Sequence, residues 1–491
     1  MTEEHVDVLI VGAGLSGVGA AYHLQTLCPD KSYAVLEGRE RIGGTWDLFR
    51  YPGVRSDSDM YTFGYSFRPW TGGQSFADGE TIRQYIEETA EAYGIDEAIR
   101  FRHRVVRAEW SSERAWWTVD AEVGDERRPK RFTCQFLYTC TGYYDYDEGH
   151  APTWPGLDRF RGRVVHPQFW PENLDYAGQR VVVIGSGATA VTLVPAMAED
   201  AAHVTMLQRS PTYVATQPSE DWLALRLRKV LPERLAYGVA RWKNVLRGLF
   251  YYQLARRKPG LFKKGVMAKA KAQLGPDVDV GEHFNPSYDP WDQRLCLAPD
   301  GDLFRVLREG TASIVTDHIE AFTETGIRLR SGDEIEADLV VSATGLSMRI
   351  LAGVDLRVDG ELVHHAARMV YKGVMNGGVP NLFAAFGYTN ASWTLKVDLS
   401  ARWVCRLIRY MDREGYAVVA PEPDPAQDET PVIDFSSGYV QRAAGGLPKQ
   451  GSDRPWRLHQ NYALDLLDFR FSRLDDGVLD FSPPPKTAAP A

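Results

Sequence analysis

Two glycine-rich turns, each preceded by a short apolar run, constrain the fold of this 491-residue chain more than any other feature. The first follows Val8-Leu-Ile-Val11 and contains Gly12, Gly14 and Gly17. The second follows Val181-Val-Val-Ile184 and contains Gly185, Gly187 and Ala190. An apolar run that ends at Gly-x-Gly and continues into small residues is typical of a βα turn that binds a dinucleotide pyrophosphate. Two copies predict an α/β fold with two Rossmann-like dinucleotide-binding domains.

The first turn carries the full set of expected residues. Gly12 permits the tight turn, Gly14 lets the backbone approach a pyrophosphate, and Gly17 lets the following helix pack on the strand. Glu37 ends the next apolar run, 20 residues after Gly17. An acid at this spacing accepts hydrogen bonds from ribose hydroxyls.

The second turn lacks that acid, because Gln208-Arg209-Ser210 ends its following strand. A carboxylate there would repel the 2′-phosphate of NADPH, whereas Arg209 can pair with it. Hydrogen bonds to charged groups contribute about 1.5–3 kcal/mol, which corresponds to one to two orders of magnitude in affinity. We therefore expect Arg209 and Ser210 to select NADPH over NADH.

Composition excludes several classes of protein. The net charge is −9, so the chain as a whole has no electrostatic reason to bind nucleic acid. Its five cysteines form no Cys-x-x-Cys pair, which disfavours the flavin disulfide reductases, and its histidines show no metal-ligand spacing. With no apolar stretch of about 20 residues and no leader-like N-terminus, we expect a cytoplasmic protein.

One segment differs in charge from the rest. Residues 225–272 are helical in pattern and contain fourteen Lys/Arg but one acid, Glu233. The simplest interpretation is a helical insertion, over 218–285, whose polar face is solvated. Two others stay open for residues 220–275: contact with an anionic membrane surface, and self-association.

Two longer patterns carry a family resemblance. Residues 43–57 read GGTWDLFRYPGVRSD, and residues 160–171 read FRGRVVHPQFWP. Together they resemble the signature motifs of type I Baeyer–Villiger monooxygenases, a branch of the flavin monooxygenase superfamily. Trp170 favours that branch over the N-oxidising flavin monooxygenases. The stretches 51–61, 290–297 and 387–396 are similar to those of the actinobacterial ethionamide monooxygenases, and the resemblance covers residues 5–480.

The resemblance implies a domain plan. An FAD-binding domain would comprise residues 1–150 and 370–491, and an NADPH-binding domain would comprise 151–369. Gly44, Trp46 and Asp57 would lie at the flavin. Residues 481–491, which end in a proline-rich stretch, are expected to form a disordered tail.

The resemblance also implies roles for the remaining motif residues. Residues 160–171 are called the histidine motif below. Five of its residues would couple motion of the two domains without touching substrate: Phe160, Gly162, His166, Trp170 and Pro171. Arg294 matches the family's active-site arginine, and Asp57 matches the acid that orients it. Gln293 precedes the arginine where better-known relatives have lysine.

The implied activity is insertion of one O₂-derived oxygen beside a ketone carbonyl, giving an ester or lactone, through a C4a-peroxyflavin that NADPH-reduced FAD forms. The substrate would be a small apolar ketone. Oxygenation of sulfides or thioamides through the same intermediate is the alternative. A third hypothesis, a nucleotide-binding redox sensor or scaffold, gives no reason for Arg294 and Asp57 to stand in this setting.

Overall fold

The computed structural model describes residues 3–293 and 295–486. Two large sheets, the first mixed and the second parallel, are covered by helices that bury an apolar face. The helices of the described residues are α1 Leu15–Leu27, α2 Thr45–Leu48, α3 Met60–Phe63, α4 Gly79–Ala92, α5 Ala188–Met197, α6 Trp222–Val230, α7 Glu233–Arg257, α8 Pro259–Leu274, α9 Val280–His283, α10 Asp302–Glu309, α11 Trp393–Glu414, α12 Gly438–Ala443 and α13 Tyr462–Phe471.

The first sheet is built around Glu3–Val11, which pairs in parallel with Tyr33–Leu36 and with Arg128–Thr139. Its core packs between this sheet and the helices α1 and α11, where Trp403 is almost fully buried. In spatial order the strands are Glu361–Leu362, Asp355–Val358, His103–Ser111, Trp116–Val123, Arg128–Thr139, Glu3–Val11, Tyr33–Leu36 and Ile99–Arg100, with Leu382–Ala384 also paired to Arg128–Thr139.

The second sheet is wholly parallel, and its three central strands are mostly buried, as is typical of such sheets. Helix α5 follows its central strand directly. In spatial order the strands are Ala312–Thr316, His203–Gln208, Arg180–Ile184, Leu339–Ser342 and Arg163–Val165.

Smaller sheets complete the fold among the described residues. They consist of Val214–Gln217 with Cys296–Pro299, Ile319–Phe322 with Gly326–Leu329 and Glu334–Glu336, Tyr144–Gly149 with Leu346–Met348, Val370–Tyr371 with Met375–Asn376, Val418–Pro421 with Leu479–Ser482, and Thr430–Pro431 with Lys449–Gln450. The antiparallel pair of Tyr144–Gly149 and Leu346–Met348 forms the two connections between the large sheets.

The chain returns to the first sheet earlier than the predicted boundary at residue 369. Asp355–Val358 pairs in parallel with His103–Ser111, and Leu356 is buried in the core of that sheet. Asp359 and Gly360, with φ of 50° and 87°, then turn the chain into a hairpin. Asp-Gly between two short strands is a hairpin signal, so the turn was open to prediction, whereas the pairing of Asp355–Val358 with His103–Ser111 was not.

The predicted tail over 481–491 also begins too early. Phe481 and Ser482 belong to the strand Leu479–Ser482, and the Phe481 ring contacts Tyr410 and Tyr416. Residues 487–491 lie outside the described residues. Within the described ranges, every helix is too short or too polar to cross a lipid bilayer.

Candidate functional site

The first glycine-rich turn joins Glu3–Val11 to α1. Gly12 has φ of 104°, and a Cβ atom there would lie 2.6 Å from the Cys140 carbonyl oxygen. A Cβ atom on Gly17 would lie 1.8 Å from the carbonyl oxygen of Gly12, so α1 can begin against the turn only with glycine at that position. The observed contacts therefore match the roles predicted for Gly12 and Gly17.

Glu37 lies directly beneath this turn and is buried. Its carboxylate accepts hydrogen bonds from the Ala13 N–H (2.7 Å) and the Arg39 N–H (2.9 Å). Burial raises the pKa of Glu37, while these two backbone donors act in the opposite direction. The backbone thus orients the carboxylate beside the turn, where a nucleotide ribose is expected.

The N-terminus of a second helix reaches the same turn. α11 begins at Trp393, whose indole Nε1–H donates to Ser16 Oγ at 2.9 Å. The neighbouring side-chain oxygens Asn390 Oδ1 and Ser392 Oγ are buried without a protein partner. The N-termini of α1 and α11 favour a negatively charged group at this place, and the two unpaired oxygens can each accept or share a hydrogen bond with it. These features fit a bound group such as FAD.

The second turn has the same construction. Gly185 has φ of 143°, and a Cβ atom there would lie 2.3 Å from the Ala343 carbonyl oxygen. Gly187, by contrast, would place a Cβ atom in open space. Ala190 is fully buried in α5, and Arg209 and Ser210 are exposed at the end of His203–Gln208. This turn fits a second dinucleotide.

Both turns open into one cavity of about 1550 Å³. Gly12, Gly14, Glu37, Gly44 and Trp46 line one part of it. Gly185, Gly187, Arg209 and Ser210 line another, and Asp57 lies on the same surface. The cavity therefore brings together most residues predicted to bind the two cofactors.

Arg294 lies outside the described residues. Its chain neighbours Gln293 and Leu295 both line the cavity that Asp57 lines. The role of Arg294, and that of Asp57 in orienting it, stay predictions.

An aromatic wall next to Gln293 was not predicted. The rings of Tyr252 in α7 and Phe262 in α8 each lie 5.6 Å from the ring of Trp291, and all three line the cavity. Val245 and Leu249 extend this apolar surface along α7. Trp291 belongs to the stretch 290–297 that carries the family resemblance. The two helices that contact it, α7 and α8, belong to the insertion, and the sequence does not show which of their faces points toward the cavity.

The histidine motif does not line the cavity. His166 Nε2 lies 3.3 Å from the Gly345 carbonyl oxygen, and the Gln168 N–H donates to Nδ1 at 3.2 Å. Burial lowers the pKa of His166, so a neutral ring with hydrogen on Nε2 satisfies both contacts. Gln168 donates in turn to the Asp145 carbonyl at 2.8 Å. The two carbonyl groups contacted, those of Gly345 and Asp145, lie one on each of the two connections between the large sheets.

Packing contacts surround the other predicted residues of this motif, and their role in domain coupling stays a prediction. The Phe160 ring packs on Phe322, and a Cβ atom at Gly162 would lie 2.4 Å from the Phe160 ring. Trp170 packs against the core of the second sheet and contacts Tyr176. Pro171 follows at the end of the segment.

Comparison with known proteins identifies the family. Residues 7–246 match the flavin-binding monooxygenase-like family. The chain is 53% identical, over 98% of its length and 99% of the relative's, to the FAD-containing monooxygenase EthA of Mycobacterium tuberculosis.

Solved structures share the fold over most of the chain. OTEMO in complex with FAD and NADP has a TM-score of 0.72 at 22% identity, covering 86% of this chain and 87% of that one. Cyclohexanone monooxygenase bound to ε-caprolactone has a TM-score of 0.75 at 18% identity, covering 98% and 100%. The predicted two-nucleotide α/β fold is confirmed. With half of its residues identical to EthA over nearly the whole length, the chain belongs to the family of FAD-containing, flavin-binding monooxygenases.

Proposed function

We propose that the protein is a Baeyer–Villiger monooxygenase that consumes NADPH and converts an apolar ketone to an ester or lactone. The observation that carries this proposal is the single cavity of about 1550 Å³ shared by both dinucleotide turns and the aromatic wall. A hydride donor, a flavin and an apolar substrate can meet in one such space. When bound, FAD accepts the hydride and activates O₂, which supplies the inserted oxygen atom.

Different residues around the cavity would bind FAD, NADPH and the substrate. Gly12, Gly14 and Glu37 would hold FAD, and Gly185, Gly187 and Arg209 would hold NADPH. Trp46 lies in the flavin part of the cavity with its ring 5.6 Å from that of Phe63. The wall of Tyr252, Phe262 and Trp291 would bind the apolar body of the substrate and exclude water from it.

Arg294 is the proposed catalytic residue, and Asp57 the residue that orients it. A guanidinium beside the reacting oxygen favours the anionic, nucleophilic form of that oxygen. It then stabilises the negative charge that develops as oxygen adds to the carbonyl carbon. Removal of one such stabilising group costs about 2.7–4 kcal/mol, or two to three orders of magnitude in rate.

Oxygenation of sulfur is the second candidate function, and the aromatic wall favours it. Contacts between a sulfur atom and aromatic ring edges contribute about 0.3–1.5 kcal/mol. The three rings of the wall would accept a sulfide or thioamide as readily as a ketone. The cyclohexanone monooxygenase that shares the fold was solved with a lactone, which supports the ketone as first choice.

Product analysis distinguishes the candidates. The purified yellow protein is given NADPH, ¹⁸O₂ and either a linear ketone or an aryl sulfide, at matched concentrations. We expect one ¹⁸O atom in an ester, with a higher kcat/KM for the ketone. A higher kcat/KM for the sulfide would make S-oxygenation the primary activity. NADPH consumption that neither substrate increases would support the redox sensor instead.

Substitution of Arg294 tests the mechanism. The Arg294→Ala variant should keep its FAD absorbance and its rate of reduction by NADPH, yet lose ester formation by at least about a hundredfold. Arg328→Ala, at an arginine whose side chain is 49% exposed and paired with Glu320, is the matched control and should behave as the wild type. A normal ester yield from Arg294→Ala contradicts the assigned role.

A further inference from the structure

Exposed large apolar side chains are concentrated in one part of the molecule. Fifteen are exposed among the described residues, and twelve of these belong to α6, α7, α8 and α13. The three elsewhere are isolated from one another in the chain: Val164, Phe169 and Leu362. A cluster of exposed apolar residues marks an interaction surface, whereas single ones are ordinary.

The exposed residues of α7 follow helical spacing. Leu235, Val239, Trp242, Leu246 and Phe250 are separated by four, three, four and four positions, which places them on one face. The most exposed is Phe250, at 63%.

α13 continues this surface. Its exposed residues Leu464, Leu467 and Phe471 also share one helix face, and Phe471 is 68% exposed. Trp242 of α7 contacts Tyr462, the first residue of α13, with ring centroids 5.7 Å apart. This contact places the start of α13 beside the α7 stripe, and we name the exposed apolar residues of the two helices together the α7–α13 face.

The segment that contains α7 is opposite in charge to the rest of the protein. Residues 225–272 carry fourteen Lys/Arg against one acid, or +13, so the other residues together account for −22 of the total of −9. Ten of the basic residues are exposed: Arg226, Lys229, Arg234, Arg247, Arg256, Arg257, Lys258, Lys264, Lys269 and Lys271. Arg257 follows Phe250 by seven positions and so continues the α7 stripe.

The cavity reaches the surface near α7 and α8. Tyr251 of α7 and Leu261 of α8 line the cavity and are also 43% and 60% exposed. Val245 and Leu249 face the cavity, whereas their neighbours Leu246 and Phe250 do not line it. α7 thus separates the cavity from the exposed apolar stripe.

We propose that the α7–α13 face docks the protein on an anionic phospholipid bilayer. Apolar side chains would enter the interface while the surrounding Lys/Arg pair with lipid phosphates.

Vesicle co-sedimentation tests the docking with the full-length, FAD-loaded protein. We expect binding to vesicles of phosphatidylglycerol and phosphatidylcholine, little binding to pure phosphatidylcholine, and weakening by salt. The double variant Leu246→Ser/Phe250→Ser should lose vesicle binding. Arg257→Gln and Lys264→Gln should each weaken it about fivefold. Leu362→Ser, at an exposed leucine of the first sheet, is the matched control and should bind as the wild type.

Two further readouts keep the outcomes separate. NADPH oxidation with a water-soluble ketone should be unchanged in all these variants, which excludes misfolding. Sedimentation velocity without lipid should show the same species for wild type and double variant. The proposal would be overturned if the protein bound both kinds of vesicle equally, or if the double variant bound them as the wild type does. If the double variant instead lost an oligomer that the wild type forms without lipid, the face would serve self-association.

Discussion

Gly185 and Gly187 stand two residues apart in the second turn, yet a methyl group at each would meet different surroundings. At Gly185, with φ of 143°, it would lie 2.3 Å from the Ala343 carbonyl oxygen. At Gly187, which has φ of −79° and ψ of −177°, it would meet no protein atom within 4 Å. Gly185 is therefore required by the fold, whereas Gly187 is required only if a ligand approaches.

This difference gives a prediction for the second cofactor. Gly187→Ala should change the free energy of unfolding by about 1 kcal/mol or less, yet raise the KM for NADPH at least tenfold, because the methyl group meets the pyrophosphate. Gly185→Ala should lower the free energy of unfolding by about 2–4 kcal/mol. Urea denaturation and anaerobic reduction by NADPH measure the two effects.

Gly238→Ala is the control for these variants, since Gly238 lies inside α7 and its Cβ would also meet open space. It should leave the KM for NADPH unchanged. A Gly187→Ala enzyme with normal NADPH kinetics would remove the second turn from the NADPH site.

At the scale of elements, two buried side chains, Arg241 and Asn244, hold α7 against the segment around α3. Arg241 donates to the carbonyl oxygens of Tyr61 (2.9 Å) and Gly64 (2.7 Å), at and just beyond α3. Asn244, one turn later, donates to Asp59 Oδ1 at 3.0 Å. α7 also carries Val245 and Leu249 of the cavity wall, so this anchor couples the insertion to the site.

We expect Arg241→Ala to lower the free energy of unfolding by about 3 kcal/mol, because it leaves buried carbonyl groups without donors. The displaced wall should also raise the KM for the ketone more than it changes kcat. Arg234→Ala, an exposed arginine of the same helix, is the matched control. Urea denaturation and steady-state kinetics of the two variants measure these effects. A free energy of unfolding for Arg241→Ala equal to that of Arg234→Ala would contradict the anchoring role.

At the scale of the molecule, His166 contacts the connections through which the two large sheets are joined. Its Nε2–H reaches Gly345 on one connection, and Gln168 of the same segment reaches Asp145 on the other. Because His166 lies outside the cavity wall, any effect on catalysis must act through the relative placement of the two sheets. We treat it as a positioning residue.

Replacement of His166 should separate binding from turnover. His166→Ala should bind FAD and NADPH with near wild-type affinity but lose about tenfold in kcat and release more H₂O₂ per NADPH. His166→Asn, which keeps a neutral donor, should recover part of that loss. His364→Ala, at an exposed histidine, serves as the control. Identical kinetics for the alanine and asparagine variants would count against a role for the hydrogen bond.

The sequence by itself determined the two dinucleotide turns, the α/β class and the monooxygenase family. These depend on contiguous residues: Gly12 and Gly185 supply backbone conformations with positive φ, and the apolar runs before them form buried parallel strands. The Asp359-Gly360 hairpin was equally local, although its turn signal does not show which sheet the hairpin joins.

Only the tertiary structure decided which distant segments meet. Tyr252, Phe262 and Trp291 form one wall, Trp393 reaches Ser16, and Trp242 of α7 contacts Tyr462 of α13 because packing brings together residues far apart in the chain. Helical periodicity shows which residues of α7 share one side of the helix. It does not show which side contacts the cavity and which side is exposed to solvent. That choice depends on non-local contacts such as those of Arg241, which no local pattern specifies.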